Sequence, residues 1–125
     1  MLPMFGGLIV VAFVMVALAA ELAFLGQAYR NTAAAADAAS EAGAAMLSVS
    51  AAYDSDLAID SPRAIAESQG VAAHLVGGNA SIEVVADLTS VCVTIHDEYR
   101  PGTLAFVGVG AIDVAVTSCA EPRSG

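Results

Sequence analysis

Lysine is absent from this 125-residue chain, and four arginines are its whole cationic complement against thirteen acids, for a formal net charge of −9. Nucleic-acid binding draws much of its affinity from Lys and Arg at phosphates, so that class of partner is excluded. No basic residue precedes the first hydrophobic run, so the cationic start of an ordinary signal peptide is missing, and no convincing cleavage motif follows. Histidine is scarce: His74 and His96 stand far apart without a repeated Cys/His spacing, which argues against a metal centre. There is no GxSxG, and neither cysteine sits in a recognised nucleophile context. Gly108 and Gly110 precede a strand-like run, whereas the dinucleotide fingerprint follows a strand and opens a helix. Asp54, Asp56 and Asp60 suggest a hard-cation loop, but Ile59 and Ile65 stand where an EF-hand needs Gly and Glu, leaving a solvated acidic loop. Asn79-Ala80-Ser81 fits the glycosylation pattern, a frequent chance match. These absences point away from an enzyme and imply no cofactor and no metal.

What the chain has in excess is apolar surface. Its hydrophobic fraction is 58% and its mean hydropathy +0.74, above the roughly 45 to 50% of an ordinary soluble domain. The excess lies mostly in the first 29 residues. Met4 to Ala20 is 17 residues without a charge, and the apolar stretch continues past the single Glu21 to Gly26. A spanning helix needs about 20 predominantly apolar residues, while a signal-peptide core has only about 7 to 15, so the run reads as a retained membrane helix. Gln27 to Ser50 is alanine-rich and free of proline, and alanine is the best helix former. One helix from about Pro3 to Ser50 would be roughly 70 Å long, more than twice the hydrocarbon thickness. Its emerging half presents Ala34, Ala38 and Ala45 as a smooth surface suited to close packing, unless the alanines reflect compositional bias alone. The division is therefore 1–29 as the transmembrane half of the helix, 30–52 as its extramembrane half, and 53–125 as a small acidic α+β domain.

Ser61 as N-cap, Pro62 at the first helical position and Gly77-Gly78 as the stop frame a second, short amphipathic helix with Ile65, Ala72, Leu75 and Val76 on or near one face. The remainder alternates like strands. Ile82, Val84 and Ala86 form one apolar set, Val91, Val93 and Ile95 another, and a third run covers Ala111 to Ala120. A two-residue turn at Leu88-Thr89 pairs Ala86 with Val91, Val84 with Val93 and Ile82 with Ile95, leaving one face wholly apolar. Placing Cys92 opposite Cys119 sets Thr94 against Thr117, Ile95 against Val116 and His96 against Ala115, and the parity survives; a one-residue slip mixes the faces. The expectation is a three-stranded antiparallel meander stapled by a Cys92–Cys119 disulfide on the face away from the helix, in a compartment that permits oxidation. His96 and Glu98 then form a surface polar pair. Leu104, Ala105, Phe106 and Val107, between the last two strands, read as an exposed run able to touch membrane or a neighbouring subunit.

Leu2-Pro3, the long apolar run, Glu21 with Gly26, Ala28 and Tyr29 just beyond, and TAAAADAASEAGAA from Thr32 to Ala45 together resemble the TadE/TadG-like minor pilins (pseudopilins) of tight-adherence, or Flp, pili. The resemblance is good over residues 2 to 45 and loose through the strands to Ala120. It implies a pilin-like α+β fold and a structural subunit held in the cytoplasmic membrane until used by a secretion-type assembly machine with a motor ATPase. It also implies other pilin-like subunits as partners, in a homo-oligomer or filament. Many relatives carry a basic leader, a peptidase site ending in Gly and a glutamate five residues into the mature chain. Phe5 stands here at position 5, so either a leader is removed upstream of Met1 or this member is not processed in that way; the missing basic flank favours upstream sequence.

Glu21 is the sharpest candidate for assembly, because a carboxylate at the edge of an apolar span is costly unless interfacial, protonated or paired. Two readings stand: an ion pair with Arg30 of another subunit, or a solvated group at headgroup level. Tyr29 and Phe106 complete the interface candidates. Arg30 taken alone would place its side of the span in the cytoplasm, but the cysteine pair, the acidic domain and the resemblance favour an extracytoplasmic C-terminal domain. Three functions compete: a pilus or pseudopilus subunit acting through helix packing, a single-pass membrane adaptor presenting its acidic domain to a partner, and, more weakly, a secreted binding module.

Overall fold

The computed structural model describes residues 2–48, 58–77, 80–102, 106, 108 and 110–122. Its elements are α1 (Leu2–Ala44), α2 (Ser61–Leu75), β1 (Ser81–Ala86), β2 (Val91–Tyr99) and β3 (Ile112–Ala120). The strands form one antiparallel sheet in the order β1-β2-β3. This is the expected α+β layout, with the meander in the expected register: Ala86 opposite Val91, Ile82 opposite Ile95, and Cys92 opposite Cys119.

Alternation along the strands decides the sandwich. Val91, Val93 and Ile95 are fully buried and meet Ile59, Ala35, Ala36, Ala39, Ala64 and Ala72 in one core, with Ile82, Val84, Ala86 and Val116 packed around it. Cys92, Thr94 and His96 point the other way, by the period of two. On that outer face the disulfide is closed, with an S–S distance of 2.10 Å, and the Thr94 and Thr117 hydroxyls hydrogen bond at 2.9 Å beside it. His96 and Glu98 are both exposed there.

α1 is divided by its surroundings. From Leu2 to Ala20 every residue is exposed except the partly buried Ala17, with Leu8 at 71% and Phe13 at 72%. Beyond that point a stripe faces the domain: Glu21, Leu25, Ala28, Thr32, Ala35, Ala36, Ala39, Ser40 and Gly43 are buried or partly so. The steps of three and four are those of one helix face. The expected smooth surface of Ala34, Ala38 and Ala45 is a different face: Ala34 and Ala45 are exposed and Ala38 only partly buried.

α1 ends at Ala44, short of the expected Ser50 and of the 30–52 segment assigned to it. Met46 N–H bonds back to Gly43 O at 3.0 Å, after which Leu47 bridges Ile59, Ser48 N–H donates to Ala58 O at 2.7 Å and Asp60 N–H to Met46 O at 2.8 Å. Those backbone groups serve a short β-bridge that carries Ile59 to 1% exposure; tertiary burial overrides helix propensity. Asp54 and Asp56 lie outside the described residues.

α2 begins one residue earlier than its sequence signals suggest. Asp60, not Ser61, is the N-cap, its carboxylate accepting from Arg63 N–H at 3.5 Å. Its inward face is Ala64, Ser68 and Ala72, while Leu75, expected on that face, is 55% exposed. Small residues let the two helices approach: Ser68 Oγ donates to Ala39 O at 2.9 Å. A Cβ on Gly43 would fall inside contact distance of Ser68 Oγ, 3.0 Å from Val91 Cγ1 and 3.2 Å from Ala64 O. The β1–β2 turn closes through Asp87 N–H to Ser90 O at 3.0 Å. The Asp87 carboxylate accepts from Thr89 N–H at 2.8 Å and Ser90 N–H at 2.7 Å, bonds that hold it below the ordinary carboxylate value.

Two outcomes follow from this packing. Gly43→Ala gains helix propensity of about 1 kcal/mol but overpacks the three-element junction, for a net loss of about 1 to 2 kcal/mol in detergent-solubilised protein; an unchanged or raised Tm contradicts the close approach. Peptide mapping without reductant should recover Cys92 joined to Cys119. Reducing that bond, which closes a loop of 27 residues, should cost about 3 to 4 kcal/mol in the chain-entropy account.

Candidate functional site at the end of the apolar span

The bare segment Leu2 to Ala20 is about 28 Å long at 1.5 Å per residue, close to the roughly 30 Å of a bilayer's hydrocarbon core. The docked remainder of α1 is about 35 Å long, and the nine-residue strands β2 and β3 span about 30 Å. Helix and hairpin therefore run side by side. Val91 at the start of β2 lies next to Gly43, and Tyr99 at its end reaches Glu21. Glu21 thus sits where the bare half meets the docked half.

The side chain of Glu21 is 5% exposed. The Tyr99 hydroxyl donates to Glu21 Oε2 at 2.8 Å, and a Cβ on Gly102 would come within 3.5 Å of Glu21 Oε1. A charge-assisted bond of this kind is stronger than a neutral one, and it is made to a buried carboxylate beside Gly102. Neither reading available from the sequence, an intersubunit pair with Arg30 or a solvated carboxylate, included this intramolecular partner. Arg30 is exposed, and Tyr29 is 53% exposed. Tyr29 lines a shallow apolar groove with Leu22, Leu25, Gly26 and the Ile112–Ala115 stretch of β3. Phe106 is 92% exposed; Leu104, Ala105 and Val107 lie outside the described residues.

Comparison with family models, curated proteins and solved structures gives no match. The site must be argued from its own geometry. Among the described residues one helix is long and apolar enough to cross a membrane, with a mean hydropathy of 2.8 over its most apolar window, only 6% of which is buried. Its length and composition suffice to cross a bilayer, and its exposure sets it apart from the core helix of a soluble protein, which would be mostly covered.

At the far end of the docked half, Ser118 Oγ bonds Asp37 Oδ1, and Ser40 Oγ bonds Asp37 O at 2.9 Å and Ser118 Oγ at 3.4 Å. β3 is therefore pinned to α1 at its C-terminal end by hydroxyls and beside Glu21 by the preceding hairpin. The outward face of the same helix is left open: Phe24 is 60% exposed, and Gln27, Arg30, Asn31, Ala34 and Glu41 are also exposed.

The hydrogen bond to Glu21, followed by burial and the carboxylate's charge, raises the Tyr99 pKa above its ordinary 10.0. A group whose pKa is raised on folding contributes stability that is complete below the unfolded value and is lost as pH rises through the folded one. Tyr99→Phe should lower stability at neutral pH and flatten its decline above about pH 10. Unfolding followed in detergent from neutral to alkaline pH measures both; a variant with the wild-type profile would dissociate Tyr99 from Glu21.

Proposed function

We propose that this chain is a membrane-anchored structural subunit of pilin type, a minor pilin or pseudopilin similar to the TadE/TadG-like proteins of tight-adherence pili. The observation that carries the reading is the division of one 43-residue helix into a bare apolar half and a half docked on a small disulfide-stapled sheet. Such a helix serves two stages of a filament subunit: its bare half holds the subunit in the bilayer before assembly and packs against other helices afterwards. The open ridge through Phe24, Gln27, Arg30, Ala34 and Glu41 offers a surface for that packing. Arg30 and Glu41 give this ridge opposite charges eleven residues apart, so a neighbouring subunit displaced by about 16 Å along the helix axis would bring them together.

The disulfide supports an extracytoplasmic domain, since such bonds persist in oxidising compartments. An anchor in the cytoplasmic membrane with its N-terminus inside follows from that placement. The second reading, a single-pass adaptor presenting the acidic domain to a partner, shares the anchor and the topology and differs in never leaving the bilayer.

Shearing the cell surface and analysing the filament and membrane fractions separates the two. A pilus subunit appears in sheared filaments, whereas an adaptor appears only with membranes. A membrane-impermeant protease that cuts at aspartate, applied to intact protoplasts, should cleave the segment between Asp54 and Arg63. Access only after the membrane is broken would put the domain in the cytoplasm and defeat the pilin reading.

A further inference from the structure

The open end of the β2–β3 hairpin lies beside the end of the bare apolar half of α1. β2 runs along α1 from Gly43 toward Glu21, Tyr99 hydrogen bonds Glu21, and β3 begins at Ile112 beside Leu22, Leu25 and Gly26. The connection therefore leaves and re-enters the sheet where the bare span ends. Its chemistry differs from that of the rest of the domain: no charge occurs from Pro101 to Ile112, a run dominated by Gly, Leu, Ala, Phe and Val, in a chain of net charge −9. Arg100 stands exposed at its base, and Phe106 is 92% exposed.

A lone exposed apolar side chain is ordinary. Leu88, 64% exposed in the turn at the opposite end of the sheet, is one such; it is followed by Thr89 and Ser90 and preceded by Asp87. Phe106 differs in belonging to a stretch of sequence without charge whose flanks, Tyr99 and Ile112, lie beside the end of a bilayer-length bare helix. We propose that Phe106 is a second membrane contact, seated at the headgroup–acyl boundary beside α1, with Arg100 remaining among the lipid phosphates. Apolar groups at such interfaces bury about 5 to 10 Å into that boundary, and a basic flank is attracted to anionic lipid. Anchoring at two points fixes how the domain is tilted and rotated on the membrane, which one helix alone leaves open. The inference rests on α1 crossing the bilayer.

The chain contains no tryptophan, so Phe106→Trp provides a single fluorescent reporter in the full-length protein at a side chain with few contacts to lose. Leu8→Trp reports on the span and Leu88→Trp on the distal end. Each variant is reconstituted into phosphatidylcholine–phosphatidylglycerol vesicles, with and without brominated acyl chains, and with iodide on both sides of the membrane in a parallel set. The expected result is a blue-shifted emission from the Phe106→Trp protein that brominated lipid quenches strongly, as it does for the Leu8→Trp protein, while the Leu88→Trp protein is quenched by iodide alone. Iodide quenching of the Phe106→Trp reporter without lipid quenching overturns the proposal in favour of an aqueous loop. Protection of that reporter from both quenchers overturns it in favour of a protein contact, such as a second copy of the chain. Failure of lipid quenching in the Leu8→Trp protein would remove the spanning helix itself, a distinct result that takes the proposal with it.

Discussion

One helix has two unlike halves, an apolar exposed one and a docked one, and the domain exists on the terms set by the second. Over the first 19 described residues of α1 only Ala17 is partly covered by the rest of the described chain, which leaves an apolar surface of the kind that a bilayer or other helices would cover. From Glu21 onward the helix becomes the scaffold on which everything else is laid. The docked stripe consists mostly of alanine, serine, threonine and glycine, which bury little area each but bring backbones close. The close approach gathers Gly43, Ser68, Ala64 and Val91 at one junction and lets nine-residue strands lie along the helix. Larger side chains on that stripe would lift the sheet and expose the valines and isoleucines that form the core.

Much of this was legible in the sequence because the signals were periodic. Strand alternation and the two cysteines fixed each other: only one register put both the valine set on one face and Cys92 opposite Cys119. Charge-free length marked the span. The least legible parts were boundaries where local propensity and tertiary burial disagree. Alanine favours extending α1 past Ala44, but Leu47 and Ile59 gain more from the bridge that buries Ile59. Ser61 and Asp60 are both good N-caps, and the chain's approach from the bridge selects Asp60. Leu75 looks like a core residue by hydrophobicity, yet the inward face of α2 is set by close helix–helix approach and takes Ala64, Ser68 and Ala72 instead.

Glu21 illustrates the same lesson at the candidate site. Read within its neighbours it is a charge at the edge of an apolar run, and the available meanings were interfacial solvation or a partner in another subunit. Read with the positions that follow, it is in phase with Leu25, Ala28, Thr32, Ala35 and Ala39, all on the face that the domain covers. The phase is visible in the sequence once the docked face is identified by its small residues. Its partner was less accessible: Tyr99 lies 78 residues away, and its role depends on β2 running antiparallel to the helix, a relation that strand register within the sheet does not specify.

The position of Glu21 couples two properties of α1 that are otherwise independent. Its height along the helix marks where the bare apolar half gives way to the docked half. Its azimuth turns the alanine stripe toward the sheet. A shift of one residue would change the height by only about 1.5 Å but rotate the carboxylate by about 100°, away from Tyr99 and out of the stripe. The rotational constraint is therefore far tighter than the axial one. A carboxylate in this place works as an index mark: burial is tolerated because a phenolic hydroxyl meets it, and that meeting holds the β2 end of the hairpin at one height and one face of the helix.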